Sequence, residues 1–340
     1  MLKLKVLVAG STGYIGVQLI KLLCKHNNVE IKYLCGNSSV GKKISYFDKS
    51  FDKVKLPKIV KFNKNFLKEV DIVFTALPNG EAQVISNYLE KKNTLIDLSA
   101  DFRLTKAQSY LKWYKLKHRS IKNIKNSMYS LPEVNFQELK KFKILSCPGC
   151  YPTSILLPLL PLIKKKLIKT QNIIIDSKSG YSGAGRSVHK KYKKKNLYES
   201  LSSYGVGFHR HNSEIEQEIK KVTNNKLSFT FTPHLTPMFR GILSTIYVES
   251  YNKKSINNLI DELKKFYKNR RFVKIHKVNK LLSTNDVINT NNCHISICKT
   301  KYKNRYIIFS IIDNLIKGGA GQAVQNMNLK FNFNETKGLV

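Results

Sequence analysis

The residue that points most directly to chemistry is Cys150, within the segment Ser146–Thr153, which reads SCPGCYPT. An apolar run ends at Leu145, just before this segment, and an apolar helical pattern begins near Ser154. The start of a helix offers unpaired N–H groups and the positive end of the helix dipole, which favour a thiolate over a thiol. Because the thiolate is the nucleophilic form, the segment predicts covalent catalysis by Cys150.

Cys147 and Cys150 also form a C-x-x-C pair, a spacing used by redox proteins and by zinc sites. The other half of a zinc site would have to come from Cys293, His294 and Cys298. These residues lie in an alternating apolar stretch, in which odd and even positions face opposite sides of a strand. We therefore expect no metal site. We interpret Cys147 as a small packed residue, because nothing before it is typical of a thioredoxin-like fold.

Two histidines are candidates for the acid and base that such a thiol needs. His209 and His211 flank Arg210, and they precede Ser213 and Glu216, whose spacing predicts a capping box at the start of a helix. An imidazole near a thiol can accept its proton and later return one. The sequence leaves open which histidine acts, and without Cys150 the pair would be read as surface residues of a polar loop.

A glycine-rich segment follows the first apolar strand, Val6–Ala9, and opens a helix expected over Ile15–Cys24. A strand, a glycine-rich turn and a helix form the dinucleotide-binding arrangement, in which glycines let the backbone approach a pyrophosphate at the helix N-terminus. The alternative is a tight turn without a ligand. The predicted cofactor-binding residues are Gly10, Ser11, Thr12, Gly13, Tyr14, Ile15 and Gly16.

The end of the second strand indicates which dinucleotide binds. Enzymes that use NAD place Asp or Glu there for the ribose 2′-hydroxyl, whereas those that use NADP leave room for the 2′-phosphate. Residues 34–43 contain no carboxylate but offer Ser38 and Lys42. We therefore predict NADP(H) as the cofactor, with these two side chains near its 2′-phosphate.

The order of apolar segments predicts two domains of different kinds. Short strands at Val6–Ala9, Ile31–Leu34, Ile72–Thr75 and Leu95–Leu98 alternate with helical patterns. This order predicts an α/β fold, with a parallel, doubly wound N-terminal Rossmann domain.

After Cys150 the strands are longer and clustered, which predicts a second α+β domain with a mixed or antiparallel sheet covered by helices on one side. Its strands are expected at Ile173–Asp176, Leu227–Thr232, Gly241–Ser250 and Tyr306–Ile312.

A last helix, near Gly321–Leu329, is expected to return to the first domain. The predicted domains are accordingly 1–148 with 314–340 for NADP binding, and 149–313 for catalysis, substrate binding and oligomerisation. Pro158 and Pro161 fall inside the helix that follows Cys150 and are expected to kink it.

The formal net charge of +38 raises nucleic-acid binding as a hypothesis. Only eight of the 60 basic residues are arginine, the residue that reads bases and grips phosphate bidentately. We therefore interpret the charge as a lysine-rich solvated surface, including the run at 190–195, and expect no nucleic-acid partner.

The apolar runs and the cysteine spacing indicate the cellular compartment in which the protein works. No apolar run is long enough to span a membrane, and the first strand begins too early for a leader peptide. Six cysteines without framework spacing fit a reducing compartment. We expect a cytoplasmic enzyme without a membrane partner.

Taken together, these motifs resemble the N-acetyl-gamma-glutamyl-phosphate reductase family, within the wider aspartate-semialdehyde dehydrogenase-like group. The resemblance runs nearly from end to end and departs at Asn79, where relatives usually carry His. The matching segments are the Gly10 turn, Ala76–Gly80, Asp97–Arg103, the Cys150 segment, Ser182–Arg186, His209–His211, Asp313–Gly318 and Gln322–Asn326.

The resemblance implies that NADPH reduces an N-acylglutamyl phosphate to its semialdehyde, with release of phosphate. Cys150 would attack the acyl phosphate, and hydride would reduce the resulting thioester. The substrate is a small molecule, and a homo-oligomer, a dimer or a tetramer, is expected. The resemblance further implies that Arg103, Arg210, Glu214 and Ser182 bind substrate, and that Pro78, Gly183 and Asn314 contribute to the cofactor site.

Other hypotheses remain open from the sequence alone. A sister reductase would act on aspartyl phosphate or on a carrier-linked aminoadipyl phosphate. Tyr88 and Lys92 supply the Tyr-x-x-x-Lys of a short-chain dehydrogenase, but this hypothesis leaves Cys150 without a role. A basic nucleic-acid-binding protein would account for the charge and for none of the motifs.

Overall fold

The computed structural model describes residues 3–186 and 199–339, so the lysine-rich run at 190–195 lies outside the described residues. The chain divides into two compact units, 1–148 with 319–340 and 149–318. The chain thus returns to the first unit later than the predicted boundary at residue 314. Local bonds account for this, because Asn314 accepts a hydrogen bond from the Gly241 amide and donates one to Ser182 within the second unit.

The first unit is built on a seven-stranded sheet whose strand pairs are all parallel. Its order is β3-β2-β1-β4-β5-β7-β6, so the chain winds outward from β1 in both directions. The central strands are buried on both faces, which explains their continuous apolar sequences. The strands are β1 Leu4–Ala9, β2 Val29–Cys35, β3 Ile59–Val60, β4 Ile72–Thr75, β5 Thr94–Asp97, β6 Ser127–Tyr129 and β7 Ile144–Ser146.

The second unit holds a mixed seven-stranded sheet in the order β12-β13-β14-β11-β8-β10-β9. The pairs β10–β8 and β12–β13 are parallel, and the remaining pairs are antiparallel. The strands are β8 Ile173–Gly180, β9 Ser202–Ser203, β10 Phe229–Thr236, β11 Ile242–Glu249, β12 Val273–Ile275, β13 Cys293–Lys299 and β14 Arg305–Ile312. The predicted fold class, a Rossmann domain plus an α+β domain with a mixed sheet, is confirmed.

Helices flank both sheets, and the longest one starts at the predicted nucleophile. They are α1 Tyr14–Cys24, α2 Glu81–Ser86, α3 Ala107–Tyr114, α4 Ile121–Ile124, α5 Pro132–Asn135, α6 Cys150–Lys164, α7 His211–Lys220, α8 Ile256–Phe266 and α9 Gly321–Lys330. The last helix, α9, belongs to the first unit and packs against α1, as predicted. No helix of the described residues is long and apolar enough to cross a membrane.

Helix α6 is the core of the second unit, because its residues 151–163 are all buried. It continues through Pro158 and Pro161 as one element. A proline at position 161 removes the N–H that would bond to the Leu157 carbonyl. Tyr267 supplies the missing donor, because its hydroxyl donates to the Leu157 carbonyl oxygen at 2.6 Å. A tertiary contact thus compensates the helix for a missing backbone bond.

We predict that Tyr267→Phe lowers the free energy of unfolding by about 1–3 kcal/mol, because it leaves the buried Leu157 carbonyl without a donor. Pro161→Ala restores the backbone N–H, so adding it to the Tyr267→Phe variant should recover most of the loss. Urea denaturation measures both changes. Tyr306→Phe is the control, since that hydroxyl bonds an exposed carbonyl. An unchanged stability in Tyr267→Phe would contradict this account of the helix.

Candidate active site

The glycine-rich turn of the first unit is built from close backbone contacts that no side chain would allow. Gly10 has a φ of +85°, and a Cβ there would lie 2.2 Å from the Ala76 carbonyl oxygen. A Cβ on Gly16 would lie 2.2 Å from the Gly10 carbonyl oxygen. The N-terminus of α1 therefore packs tightly onto the turn, at the carboxyl edge of a parallel sheet, where a dinucleotide pyrophosphate binds. These contacts fit the predicted cofactor.

The end of β2 also fits a phosphorylated ribose. Residues 36–43 contain no carboxylate, and Ser38 and Lys42 are both exposed. The Lys42 ammonium lies 4.3 Å from the centre of the Tyr46 ring, which holds the cation beside this segment. Ser11 is fully buried and donates to the Cys35 carbonyl at 3.0 Å, so its hydroxyl joins the turn to β2. Thr12, Gly13, Tyr14 and Ile15 are partly exposed at the start of α1.

Two further predicted residues of the first unit lie after β4 and β5. Pro78 is exposed in the loop that follows β4. Arg103 is buried, and its guanidinium donates to the Cys147 carbonyl at 2.9 Å and to the Leu98 carbonyl at 3.1 Å. The side chain predicted to bind substrate therefore also fixes the backbone that leads to Cys150. Cys147 is buried beside the Asn326 amide, at 3.6 Å, which fits a packed residue.

In the second unit, Cys150 is the first residue of α6 and is partly exposed. Gly149 precedes it with extended backbone and carries no side chain that could cap the helix. A Cβ on Gly149 would lie 2.4 Å from His211 Nε2, and a Cβ on Gly318 would lie 2.7 Å from Cys150 Cβ. Two glycines therefore make room for the imidazole and for the thiol-bearing residue. Gly149 is not among the residues predicted from the sequence, although its position beside a predicted nucleophile is a usable signal.

Glu214 joins the helix of Cys150 to the helix of His211. It is fully buried, and its Oε2 accepts a hydrogen bond from the Gly149 amide at 2.9 Å. Its Oε1 lies 3.8 Å from His211 Nε2. The family resemblance predicts that Glu214 binds substrate, but both carboxylate oxygens face protein groups because the residue lies on the inner side of α7.

His209 occupies a different environment from His211. Its ring makes edge contacts with the rings of Tyr151, Tyr204 and Phe231. Burial, with a smaller contribution from Arg210, lowers the pKa of His209 to about 4. Its Nδ1 accepts the His211 backbone N–H at 3.2 Å, so the neutral ring stabilises the start of α7.

The predicted capping box before this helix is wrong. Helix α7 begins at His211, because Arg210 already has helical backbone angles, φ −54° and ψ −34°. Ser213 therefore lies inside the first turn, where its hydroxyl donates to the Arg210 carbonyl instead of capping. The two histidines consequently differ in kind, since His209 is in a loop and His211 is helical.

Three of the remaining predicted residues, Ser182, Gly183 and Asn314, lie close together in the second unit. Ser182 is buried and accepts a hydrogen bond from Asn314 at 2.9 Å. Gly183 follows it and is exposed, and a Cβ there would lie 3.6 Å from the Asn314 amide nitrogen. Arg210 is exposed at the start of α7. Among the described residues, no group of three or more His, Cys, Asp and Glu side chains could hold a metal ion.

Comparison with known proteins gives the family. Residues 5–142 match the family model described as "Semialdehyde dehydrogenase, NAD binding domain", and residues 150–314 match "Semialdehyde dehydrogenase, dimerisation domain". The N-acetyl-gamma-glutamyl-phosphate reductase of Thermoanaerobacter pseudethanolicus is 42% identical over 98% of this chain and 97% of its own. A relative in Arabidopsis thaliana, named a probable chloroplastic N-acetyl-gamma-glutamyl-phosphate reductase, is 41% identical over 97% of this chain and 82% of its own.

Solved structures show the same fold at low identity. Aspartate semialdehyde dehydrogenase II of Vibrio cholerae, complexed with ASA, has a TM-score of 0.72 at 16% identity, covering 98% of this chain and 99% of its own. The Candida albicans enzyme with NADP has a TM-score of 0.66 at 17% identity, covering 96% and 98%. The chain therefore belongs to the N-acetyl-gamma-glutamyl-phosphate reductase family, an NADP-dependent branch of the semialdehyde dehydrogenases.

Proposed function

We propose that this chain reduces N-acetyl-L-glutamyl 5-phosphate to N-acetyl-L-glutamate 5-semialdehyde with NADPH, releasing phosphate, in arginine biosynthesis. The observation that carries the proposal is the arrangement of Cys150 at a helix start, His211 against Gly149, and buried Glu214 between the two helices. Full-length relatives with this name, at about 40% identity, support the choice of substrate over those of the sister reductases.

Cys150 is the nucleophile in this proposal. Its thiolate attacks the acyl carbon, a C–S bond forms, and phosphate leaves with the electron pair of the C–O bond. His211 accepts the thiol proton, and the buried Glu214 carboxylate, 3.8 Å away, stabilises the resulting imidazolium. When the hemithioacetal collapses, the C–S bond breaks and the thiolate is restored. Glu214 thus acts through His211 and Gly149, not on the substrate.

His211, not His209, is the acid and base of this reaction. Its Nε2 lies against the residue that precedes Cys150, whereas His209 is enclosed by aromatic rings. A histidine with a pKa of about 4 is a poor proton acceptor near neutral pH. His209 therefore serves as a neutral acceptor that holds the backbone of His211 in place.

The first unit would hold the cofactor. The segment Gly10–Gly16 would bind the pyrophosphate, and Ser38 with Lys42 would accommodate the 2′-phosphate. Pro78 of the same unit would contribute to the site, as the family resemblance implies. When bound, NADPH supplies the hydride that reduces the acyl carbon. Arg103, Arg210 and Ser182 would bind the anionic and polar groups of the substrate.

We also propose that the open face of the second sheet pairs with a second copy of the chain. Ile174, Tyr247 and Ile307 stand side by side on β8, β11 and β14, with Ile174 50% and Tyr247 42% exposed. The next residues along these strands, Ile175, Ile246 and Ile308, face the other way and are fully buried. Asp176 and Lys178 put both charges beside the apolar face, which suits pairing with an identical surface. The match to a dimerisation domain supports this occupant.

The proposal also covers the cellular location of the enzyme and its binding partners. We place the enzyme in the cytoplasm, in keeping with its biosynthetic substrate and its six free cysteines. A lysine-rich surface with few arginines does not favour sequence-specific binding of nucleic acid. The small-molecule substrate is the partner that the site chemistry requires.

The first test follows the acyl-enzyme. Acyl phosphate without NADPH should release up to one phosphate per Cys150 and then stall, with the acyl group on that thiol. Cys150→Ser should release none, whereas Cys147→Ser, the matched control, should keep the burst. His211→Asn should slow acylation about a hundredfold and His209→Asn much less. Phosphate release with an unmodified Cys150 peptide would overturn the mechanism.

The second test concerns the partly buried His209. Its folded pKa, about 4, lies below the ordinary 6.5, so the unfolded chain takes up the proton first. The stability that this histidine contributes is complete above pH 6.5 and is lost as the pH falls towards 4. Between pH 7.5 and 5.0 the wild type should therefore lose about 1–2 kcal/mol more than His209→Asn, measured by urea denaturation. Equal losses in both proteins would contradict the partly buried, neutral ring.

The third test concerns the association of two copies of the chain through the second sheet. Sedimentation should show a dimer or tetramer for the wild type, and Tyr247→Lys should shift it towards monomer, because the substitution buries a charge in the interface. Ile121→Lys, at a 64% exposed site of the first unit, is the matched control. A wild type that stays monomeric at micromolar concentration would refute the proposed surface.

A further inference from the structure

Two buried carboxylates of the first unit have no role in the proposed reaction. Asp97 and Asp101 are both fully buried, and they come from the Asp97–Arg103 segment that follows β5. Burial, and then the nearby Asp101, raise the pKa of Asp97 to about 6. Burying two like charges in one cluster costs stability, so their contacts should show what offsets the cost.

Asp97 holds the end of strand β4, whose last residue is Thr75. The Oδ1 atom of Asp97 accepts a hydrogen bond from the Thr75 hydroxyl at 2.7 Å and another from the Ser99 amide at 2.9 Å. The Oδ2 atom of Asp97 has no hydrogen-bond partner among the described residues. The carboxylate therefore fixes the point at which the chain leaves the sheet.

Asp101 holds the other end of the loop that begins there. Its Oδ1 accepts hydrogen bonds from the Gly80 amide and from the Tyr110 hydroxyl, both at 2.7 Å, and its Oδ2 accepts one from the Gln83 amide at 3.3 Å. Gly80 is buried and has a φ of +94°, a left-handed conformation that glycine adopts without strain, so the loop ends in a turn that this carboxylate stabilises.

The loop between these two anchors, 76–79, lies against the glycine-rich turn. The Ala76 carbonyl occupies the space that a Cβ of Gly10 would need, at 2.2 Å, and the Leu77 side chain is 3.3 Å from the same point. A displacement at either end of the loop would therefore be transmitted to Gly10. Both segments are at the carboxyl edge of the parallel sheet, where ligands of such folds bind.

We infer that Asp97 and Asp101 act as a pair that fixes the 76–79 loop against the Gly10 turn, and that Asp101 is a positioning residue for the NADPH site. This inference rests on the proposed function, which places the cofactor at this edge. These hydrogen bonds come from backbone amides and hydroxyls, so they specify backbone geometry.

The experiment compares NADPH binding with acylation in the full-length enzyme. Asp101→Ala removes three hydrogen bonds and should raise the NADPH dissociation constant, measured by cofactor fluorescence, about tenfold or more. Asp101→Asn keeps one acceptor oxygen and should show a smaller increase. Both variants should keep the phosphate burst at Cys150, because acylation needs no cofactor.

A matched control separates positioning from loss of stability. Asn93 is buried in the same unit, where its amide donates to the Leu67 and Val70 carbonyls on the opposite edge of the sheet. Asn93→Ala should lower the melting temperature as Asp101→Ala does, but it should leave NADPH affinity within about twofold of the wild type. Unchanged NADPH affinity in Asp101→Ala, or an equal loss in Asn93→Ala, would overturn the inference.

A second arm tests the proposed cofactor site itself. Ser38→Asp places a negative charge at the end of β2 and should weaken NADPH binding by about tenfold through repulsion of the 2′-phosphate. If Ser38→Asp has no effect while Asp101→Ala does, the assignment of the 2′-phosphate site fails and the positioning role stands. If the wild type itself does not bind NADPH, both are refuted.

Discussion

The chemistry of the second unit depends on one buried carboxylate, Glu214, and on the backbone amide that it binds. The hydrogen bond from the Gly149 amide, at 2.9 Å, ties the start of α6 to the inner side of α7. The same carboxylate lies 3.8 Å from His211. Because the proposed nucleophile, Cys150, and its proposed base, His211, are on different helices, their distance is only as constant as the contact between those helices. A charged hydrogen bond in a buried setting is a strong way to keep it constant.

The absence of side chains matters as much as their presence at this site. The His211 ring occupies the position that a Cβ of Gly149 would take. A Cβ on Gly318 would likewise clash with Cys150. Any larger residue at these positions would move the imidazole or the thiol by more than the tolerance of a proton transfer. The first unit uses the same device, because Gly10 and Gly16 bring backbone atoms together under the predicted pyrophosphate. Both sites therefore depend on glycines that leave room for close contacts.

How much the sequence reveals depends on whether a feature is local. The sequence predicts strand β4 with its observed limits, Ile72–Thr75, because a short apolar run between polar residues is a local signal. It places Cys150 at a helix start for the same reason. It misjudges the start of α7, since Ser213 and Glu216 have the spacing of a capping box while the preceding backbone is already helical.

Contacts between residues that are distant in the sequence have no such local signal. The bond between Tyr267 and Leu157 spans 110 residues and has no local signature. The burial of Glu214 against the start of α6 is equally non-local, since Gly149 and Glu214 are 65 residues apart in the chain.

The distribution of charge in the molecule follows from these contacts. The net charge is +38, yet several of the 22 acidic residues are fully buried, among them Asp97, Asp101, Glu214 and Asp313. Each accepts hydrogen bonds from backbone amides near the end of a strand or the start of a helix. A lysine has no acceptor and cannot replace a carboxylate in this role. Substitution to lysine at a surface position therefore costs little stability. The same substitution at one of these buried carboxylates would remove the acceptor that holds a turn near one of the two proposed sites. These four buried carboxylates thus hold turns near the proposed sites, a role that the lysines of the surface cannot take over.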